Sequence, residues 1–121
     1  MIGLKRGTVE LKPYQNEWHS NFQQAKASIK KVFDNISCEI EHIGSTAVSN
    51  MDAKPIIDIA IGIKNLSDEV IETMIPKLEK LGFIYRGNEG EEGGYLFIKQ
   101  KPANITTHHC LLYTSPSPRD S

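Results

Sequence analysis

The feature that most constrains the fold of this chain is the run PIIDIAIGI at residues 55–63. In a strand, alternate side chains point to opposite faces, so one face of this segment carries four isoleucines. The other face carries Ile56, Asp58, Ala60 and Gly62. A strand that is apolar on both faces is typical of an inner strand covered by helices. The run therefore predicts an α/β protein with one acid, Asp58, inside an apolar strand.

The rest of the chain predicts two helices and four more strands around this one. Apolar residues recur in steps of three and four over residues 16–33 and again over residues 67–81, which indicates two amphipathic helices. Pro76 lies within the second pattern, so we expect a kink or break there. The four further strands are predicted at residues 37–43 and in the segments FIYRG, YLFIKQ and THHCLLY.

Composition excludes several classes of protein. With 121 residues the chain suits one domain, and a formal net charge of -1 gives no overall basic field, so nucleic acid is not an expected partner. The apolar runs are too short to span a membrane, and the N-terminal segment MIGLKRGTVELK lacks the apolar core of a signal peptide. Cys38 and Cys110 match no metal-binding spacing, so we expect free thiols in a cytoplasmic protein.

The C-terminal residues differ in composition from the rest. The segment TSPSPRDS contains two prolines and no apolar residue, which predicts a disordered tail. The longer stretch LLYTSPSPRDS resembles a translated sequencing-adapter read-through. We therefore expect the domain to occupy residues 1–109, incomplete at its C-terminus, and residues 110–121 to be a non-native or disordered tail.

A phosphate-binding site is one interpretation of the segment before the apolar strand. The turn Gly44, Ser45 and Thr46 offers hydroxyl groups and backbone N–H groups, and glycine lets a ligand approach the backbone closely. Lys54 adds a cation, and Asp58 could bind Mg²⁺ together with phosphate oxygens. A structural interpretation is also open, because Gly-Ser turns are common and a strand aspartate can bind backbone amides at a sheet end.

The same segment resembles the sequence signature of a known protein family. The stretch EHIGSTAVSNMDAKPIIDI, residues 41–59, resembles the GrpB signature E-H-(I/V)-G-S-T-(A/S)-V-P-G-L-x-A-K-P-(I/V)-I-D. Upstream, Tyr14, Trp18, Phe22 and Lys26 match a Y-x-x-x-W-x-x-x-F-x-x-x-K helix of that family. Downstream, His109 lies where the family has an H-x-H pair. The resemblance extends from about residue 8 to residue 109.

Membership of this family implies a nucleotidyltransferase-like fold, a small mixed β-sheet flanked by helices. In that superfamily the Gly-Ser turn contacts a triphosphate, and carboxylates hold two metal ions that drive an in-line displacement. The resemblance makes Asp58 a catalytic metal ligand with Mg²⁺ as cofactor, His109 a further metal ligand, and Glu41 and His42 assisting catalytic residues.

The sequence departs from the superfamily and family patterns, so three functions remain open. Ala60 stands where the second acid of an Asp-x-Asp pair would be, YLFIKQ contains no third acid, and V-P-G-L is replaced by VSNM. The chain could transfer a nucleotidyl group to an acceptor, or bind a nucleotide or other phosphorylated small molecule without catalysis. It could also be an interaction scaffold on the same fold.

Overall fold

The computed structural model describes residues 2–5, 11–33, 36–64, 66–87, 94–102 and 105–114. Its elements are β1 (Leu4–Lys5), α1 (Asn16–Val32), β2 (Cys38–Ile43), β3 (Ile57–Ile63), α2 (Asp68–Glu79), β4 (Phe83–Tyr85), β5 (Tyr95–Lys101) and β6 (Ile105–Thr114). Both predicted helices and all five predicted strands are present, which confirms the mixed α+β class. Only the two-residue strand β1 had no signal in the sequence.

The strands form one mixed sheet. Their order is β2-β3-β6-β5-β4, and β1 pairs with β6 beside this path. β3 and β6 run parallel, whereas the other neighbours are antiparallel. The apolar strand β3 is thus an inner strand, as its sequence predicted, and Asp58 lies near its N-terminal end.

The core lies between the sheet and the two helices. Side chains from both helices and the sheet make one buried cluster, which includes Trp18, Phe22, Ile29, Ile57, Ile59, Ile61, Met74, Leu78, Phe97, Cys110 and Leu112. Only the odd-numbered residues of β3 belong to it, so both described helices pack on the same face. The sequence predicted that helices cover this strand, and the described helices cover one of its two faces. Ala60 and Gly62 are buried on the other face because such small groups need little covering.

Helix α2 begins at a serine N-cap and continues through Pro76. Ser67 is the N-cap, and its hydroxyl oxygen accepts a hydrogen bond from the backbone N–H of Val70 at 3.3 Å. Pro76 does not break the helix, which continues to Glu79. The missing N–H would have bonded to the Glu72 carbonyl, and because Glu72 and Pro76 are both exposed, water can take its place.

The last described strand continues past the predicted domain boundary. β6 runs to Thr114, and Cys110 and Leu112 are completely buried, so the boundary at residue 109 falls inside this strand. The remainder of the predicted tail, residues 115–121, lies outside the described residues. Cys38 and Cys110 are free thiols. Among the described helices, none has the length and apolar character needed to cross a membrane.

Candidate functional site

The turn after β2 begins at Gly44. This residue has φ 78° and ψ -173°, a combination that is essentially restricted to glycine. The next three residues, Ser45–Ala47, form a single 3-10 turn in which the Ala47 N–H donates to the Gly44 carbonyl at 3.2 Å. The chain therefore leaves the sheet abruptly at the end of β2 and places Ser45 beside the start of β3.

Gly44 and Asp58 are in direct contact. A Cβ atom on Gly44 would collide with the carboxylate oxygen Oδ2 of Asp58. The Asp58 carboxylate can therefore occupy this space only because residue 44 has no side chain. The contact follows from strand pairing, because Asp58 is the register partner of Ile43, the residue before the glycine. The predicted phosphate turn and the predicted metal ligand therefore adjoin each other.

Asp58 is also paired with His109. Residues 58 and 109 are register partners in the parallel pair β3 and β6, and His109 Nδ1 lies 3.2 Å from Asp58 Oδ1. The His109 side chain is 46% exposed and the Asp58 side chain is 35% exposed, so both can be reached from solvent. The sequence named both residues, and the register explains why they meet.

These residues line one cleft of about 450 Å³. Six of the predicted site residues contribute to it or adjoin it: Ser45, Thr46, Lys54, Asp58 and His109 line its wall, and Gly44 lies behind Asp58. Segments that are separate in sequence thus converge at one edge of the sheet. The charged groups lining the cleft are two acids, one lysine and a histidine, so it has no strong net positive charge.

Leu11 and Asp52 also line the cleft, although the sequence analysis did not name them as site residues. Their segments are held together by a two-hydrogen-bond bridge between Lys12 and Ala53, with N···O distances of 2.8 and 2.9 Å. Asp52 lies inside the family motif, so a search for acids near the turn could have found it. Leu11 had no signal, because its position depends on this tertiary bridge.

His42 lies outside the cleft, on the face of the sheet that the helices cover. Its ring stacks on Phe22 with centroids 4.7 Å apart, and its Nε2 lies 2.9 Å from the Thr46 hydroxyl oxygen. That hydroxyl donates to the Ile56 carbonyl at 3.3 Å, so Nε2–H is the donor to Thr46. Burial, then the nearby His19, lower the pKa of His42, and Asp58 opposes the shift. A neutral His42 thus supports the turn through Thr46.

Thr46 consequently lines the cleft without a free hydroxyl. Its side chain is 2% exposed, and its oxygen is engaged by both His42 and the Ile56 carbonyl. Of the two hydroxyls predicted to contact phosphate, only that of Ser45 belongs to an exposed residue lining the cleft.

Glu41 lies across from Ala60 rather than beside Asp58. Its register partner in β3 is Ala60, so it shares the Asp58 face of the sheet but does not line the cleft. Among the described residues, no three His, Cys, Asp or Glu side chains are grouped closely enough to hold a metal ion. The carboxylates lining the cleft belong to Asp52 and Asp58, and a Mg²⁺ ion there would bind through a carboxylate together with phosphate oxygens of a ligand.

The sequence and the fold are those of the GrpB proteins. The family model described as GrpB protein matches residues 8–120, and the chain belongs to this family. It is 34% identical over 110 residues to UPF0157 protein YqkA of Bacillus subtilis, covering 91% of this chain and 31% of that protein. It is 30% identical over 112 residues to glutamate-rich protein GrpB of Alkalihalophilus pseudofirmus, covering 92% and 64%, respectively.

A solved structure has the same fold. The crystal structure of conserved protein GrpB from Enterococcus faecalis superimposes with a TM-score of 0.78 at 29% identity, covering 92% of this chain and 65% of that one. The chain therefore spans between about a third and two thirds of the length of these relatives.

Proposed function

We propose that this domain binds a phosphorylated small molecule, in the form of a nucleotide with Mg²⁺, in the cleft beside Gly44. One observation carries the proposal: Ser45, Lys54, Asp58 and His109, from separate segments, line the same cleft. Its volume of about 450 Å³ suits a small-molecule or cofactor site.

Lys54, Ser45 and Asp58 have distinct roles in this proposal. The exposed Lys54 ammonium supplies a point charge to a phosphate, and the Ser45 hydroxyl donates to a phosphate oxygen. Asp58 would hold Mg²⁺ together with phosphate oxygens, and the ion would neutralise the phosphate charge. The charge balance supports the metal complex, because Asp52 and Asp58 would repel a bare phosphate.

Binding without transfer is the function that the geometry supports best. Two-metal nucleotidyl transfer needs carboxylates that bridge two ions. Ala60 has no side chain that can bind a metal. Of its partners on the neighbouring strands, Glu41 and Leu111, only Glu41 has a carboxylate, and Glu41 does not line the cleft. The relatives are longer than this chain, so the proposal concerns the domain that they share with it.

Calorimetric titration tests the proposal. ATP, CTP, GTP and UTP are titrated into the full chain with Mg²⁺ and with EDTA. We expect saturable binding of at least one nucleotide that weakens when Mg²⁺ is removed. Lys54→Ala and Asp58→Asn should each weaken it about tenfold, which is about 1.4 kcal/mol for one lost charged contact. Lys80→Ala removes an exposed lysine from the far end of α2 and should leave binding unchanged.

The possible results separate the three hypotheses. Failure of all four nucleotides to bind would favour the interaction scaffold and overturn the proposal. Binding that Lys54→Ala and Asp58→Asn leave intact would place the ligand elsewhere. Release of pyrophosphate in the presence of an acceptor would indicate that the protein catalyses nucleotidyl transfer.

A further inference from the structure

Leu11 is the most exposed of the large apolar residues that the structure describes. It is 60% exposed, and it lines the cleft together with Lys54. The other apolar residues in the lining are Ala53, which is buried, and Ile56, which is half-buried. Leu11 is therefore the main apolar side chain that a ligand in the cleft can contact.

The bridge between Lys12 and Ala53 determines the side on which Leu11 lies. The Lys12 N–H donates to the Ala53 carbonyl, and the Ala53 N–H donates to the Lys12 carbonyl, as in an antiparallel strand pair. Side chains alternate between the two sides of such a pair, so Leu11 and Lys54 lie on the side opposite to Ala53. Ala53 belongs to the buried core, so Leu11 and Lys54 face outward, next to each other in the cleft wall.

Exposed apolar residues also occur in the segment 48–51. Val48 and Met51 are exposed, and their segment joins the turn Ser45–Ala47 to Asp52, which lines the cleft. Single exposed apolar residues are common on protein surfaces, but several of them near one cleft are typical of a site that binds a ligand or a partner. The polar groups that we propose to bind phosphate thus have apolar surface beside them.

A phosphate group alone would leave this apolar surface in water. Lys54 and Ser45 attract phosphate oxygens, whereas Leu11 is stabilised only by contact with an apolar or aromatic group. Asp52 repels phosphate, so the wall formed by Leu11 and Asp52 favours an uncharged part of a ligand. A nucleoside phosphate has both parts, a chain of phosphates and a flat base with two apolar faces.

We infer that Leu11 packs against the base of the bound nucleotide, so the cleft selects nucleoside phosphates over phosphates that lack a base. This inference rests on the proposed binding of phosphate in the cleft, and it adds the contact that gives selectivity. Contact with a leucine depends on apolar area and does not identify a base by its hydrogen-bonding groups. Purine nucleotides, which have the larger base, should therefore bind more tightly than pyrimidine nucleotides.

Calorimetric titration of the full chain compares ATP with inorganic tripolyphosphate, each in the presence of Mg²⁺. The two ligands have the same chain of phosphates, so a difference in affinity reports on the nucleoside. We expect ATP to bind at least about tenfold more tightly. ATP and GTP should bind about threefold more tightly than CTP and UTP, which have the same sugar and phosphates but a smaller base.

Substitution of Leu11 separates the contact with the base from the contact with phosphate. Leu11→Ser should weaken the binding of ATP about tenfold and leave the affinity for tripolyphosphate unchanged. Leu11→Met retains the apolar surface, so it should bind ATP as the parent chain does. Ile84→Ser is the control, because Ile84 is an exposed apolar residue of β4 that does not line the cleft, and this variant should leave both affinities unchanged.

Several results would overturn the inference, and they differ from those that overturn the proposed function. If ATP and tripolyphosphate bind equally well and Lys54→Ala weakens both, the phosphate site stands and the contact with the base is wrong. An ATP affinity that Leu11→Ser leaves unchanged would place the base elsewhere, and pyrimidine nucleotides that bind as tightly as purine nucleotides would exclude a contribution from base area. If neither ATP nor tripolyphosphate binds the parent chain, the proposed function fails, and the inference fails with it.

Discussion

The carboxylate of Asp58 occupies the space in which any residue but glycine at position 44 would carry its Cβ atom. Residue 44 must therefore be glycine for two reasons, its backbone conformation and its contact with Asp58. The turn that ends β2 and the acid that begins β3 are thus fixed relative to each other. Any ligand that contacts the turn also lies near Asp58.

Substitution at this contact should destabilise the protein. Gly44→Ala forces a side chain into a conformation that costs about 1–3 kcal/mol and also displaces the Asp58 carboxylate. We expect urea denaturation to show a loss at the upper end of that range or above it. Gly87→Ala is the matched control, because Gly87 has φ 80° and no atom lies within 4 Å of its Cβ position. Equal losses in the two variants would mean that the contact with Asp58 contributes nothing.

The hydrogen-bond chain from His42 through Thr46 to Ile56 should stabilise the same turn. Thr46→Val preserves the shape but leaves His42 Nε2–H and the Ile56 carbonyl without their partner. We expect a loss of about 1–3 kcal/mol in the free energy of unfolding. Thr46→Ser, which keeps the hydroxyl, should recover most of it.

Thr73→Val is the control for that experiment. The Thr73 hydroxyl donates to the Val70 carbonyl at 2.7 Å on the exposed side of α2, where water can replace the lost bond. Its effect should stay within about 0.5 kcal/mol. A Thr46→Val variant as stable as Thr73→Val would show that the chain of hydrogen bonds is not a support of the turn.

Local pattern was sufficient to predict most of this fold. Hydrophobic periodicity located α1, α2 and the strands, because each element buries one stripe or face of its own residues. The same reasoning could not tell which face of β3 the described helices cover. Ile56, Ala60 and Gly62 make the second face of that strand apolar as well.

The candidate site was predictable in its parts but not in its arrangement. The chemistry of the residues named Ser45, Lys54 and Asp58, and the family resemblance added His109; the structure brings the four to one cleft. The sequence could not place His42, whose orientation depends on the strand parity that separates it from Asp58. Nor could it find Leu11, which reaches the cleft only through the bridge between Lys12 and Ala53.

The N-cap of α2 should contribute measurably to stability. Ser67→Ala removes the acceptor for the Val70 N–H, and we expect a loss of about 1 kcal/mol in urea denaturation. Ser67→Asp retains an acceptor oxygen and should remain close to the parent chain. A Ser67→Asp variant as unstable as Ser67→Ala would contradict the capping role.

His108 should make the protein less stable at acid pH. Burial, followed by Lys99 and His109, lowers the pKa of His108 from its ordinary value of 6.5 to about 4. Above pH 6.5 the ring is neutral in both folded and unfolded chains, so its titration does not reduce the free energy of unfolding. As pH falls from 6.5 towards 4, only the unfolded chain gains the proton, and stability declines by up to about 3 kcal/mol.

The measurement is the urea midpoint at several pH values across that window, for the parent chain and for His108→Asn. Asparagine can still donate to Thr107 but does not titrate, so the decline should be much smaller in the variant. The pKa of His42 is also lowered, so part of the decline will remain in both chains. Identical pH profiles would show that His108 takes up its proton as readily in the folded chain as in the unfolded one.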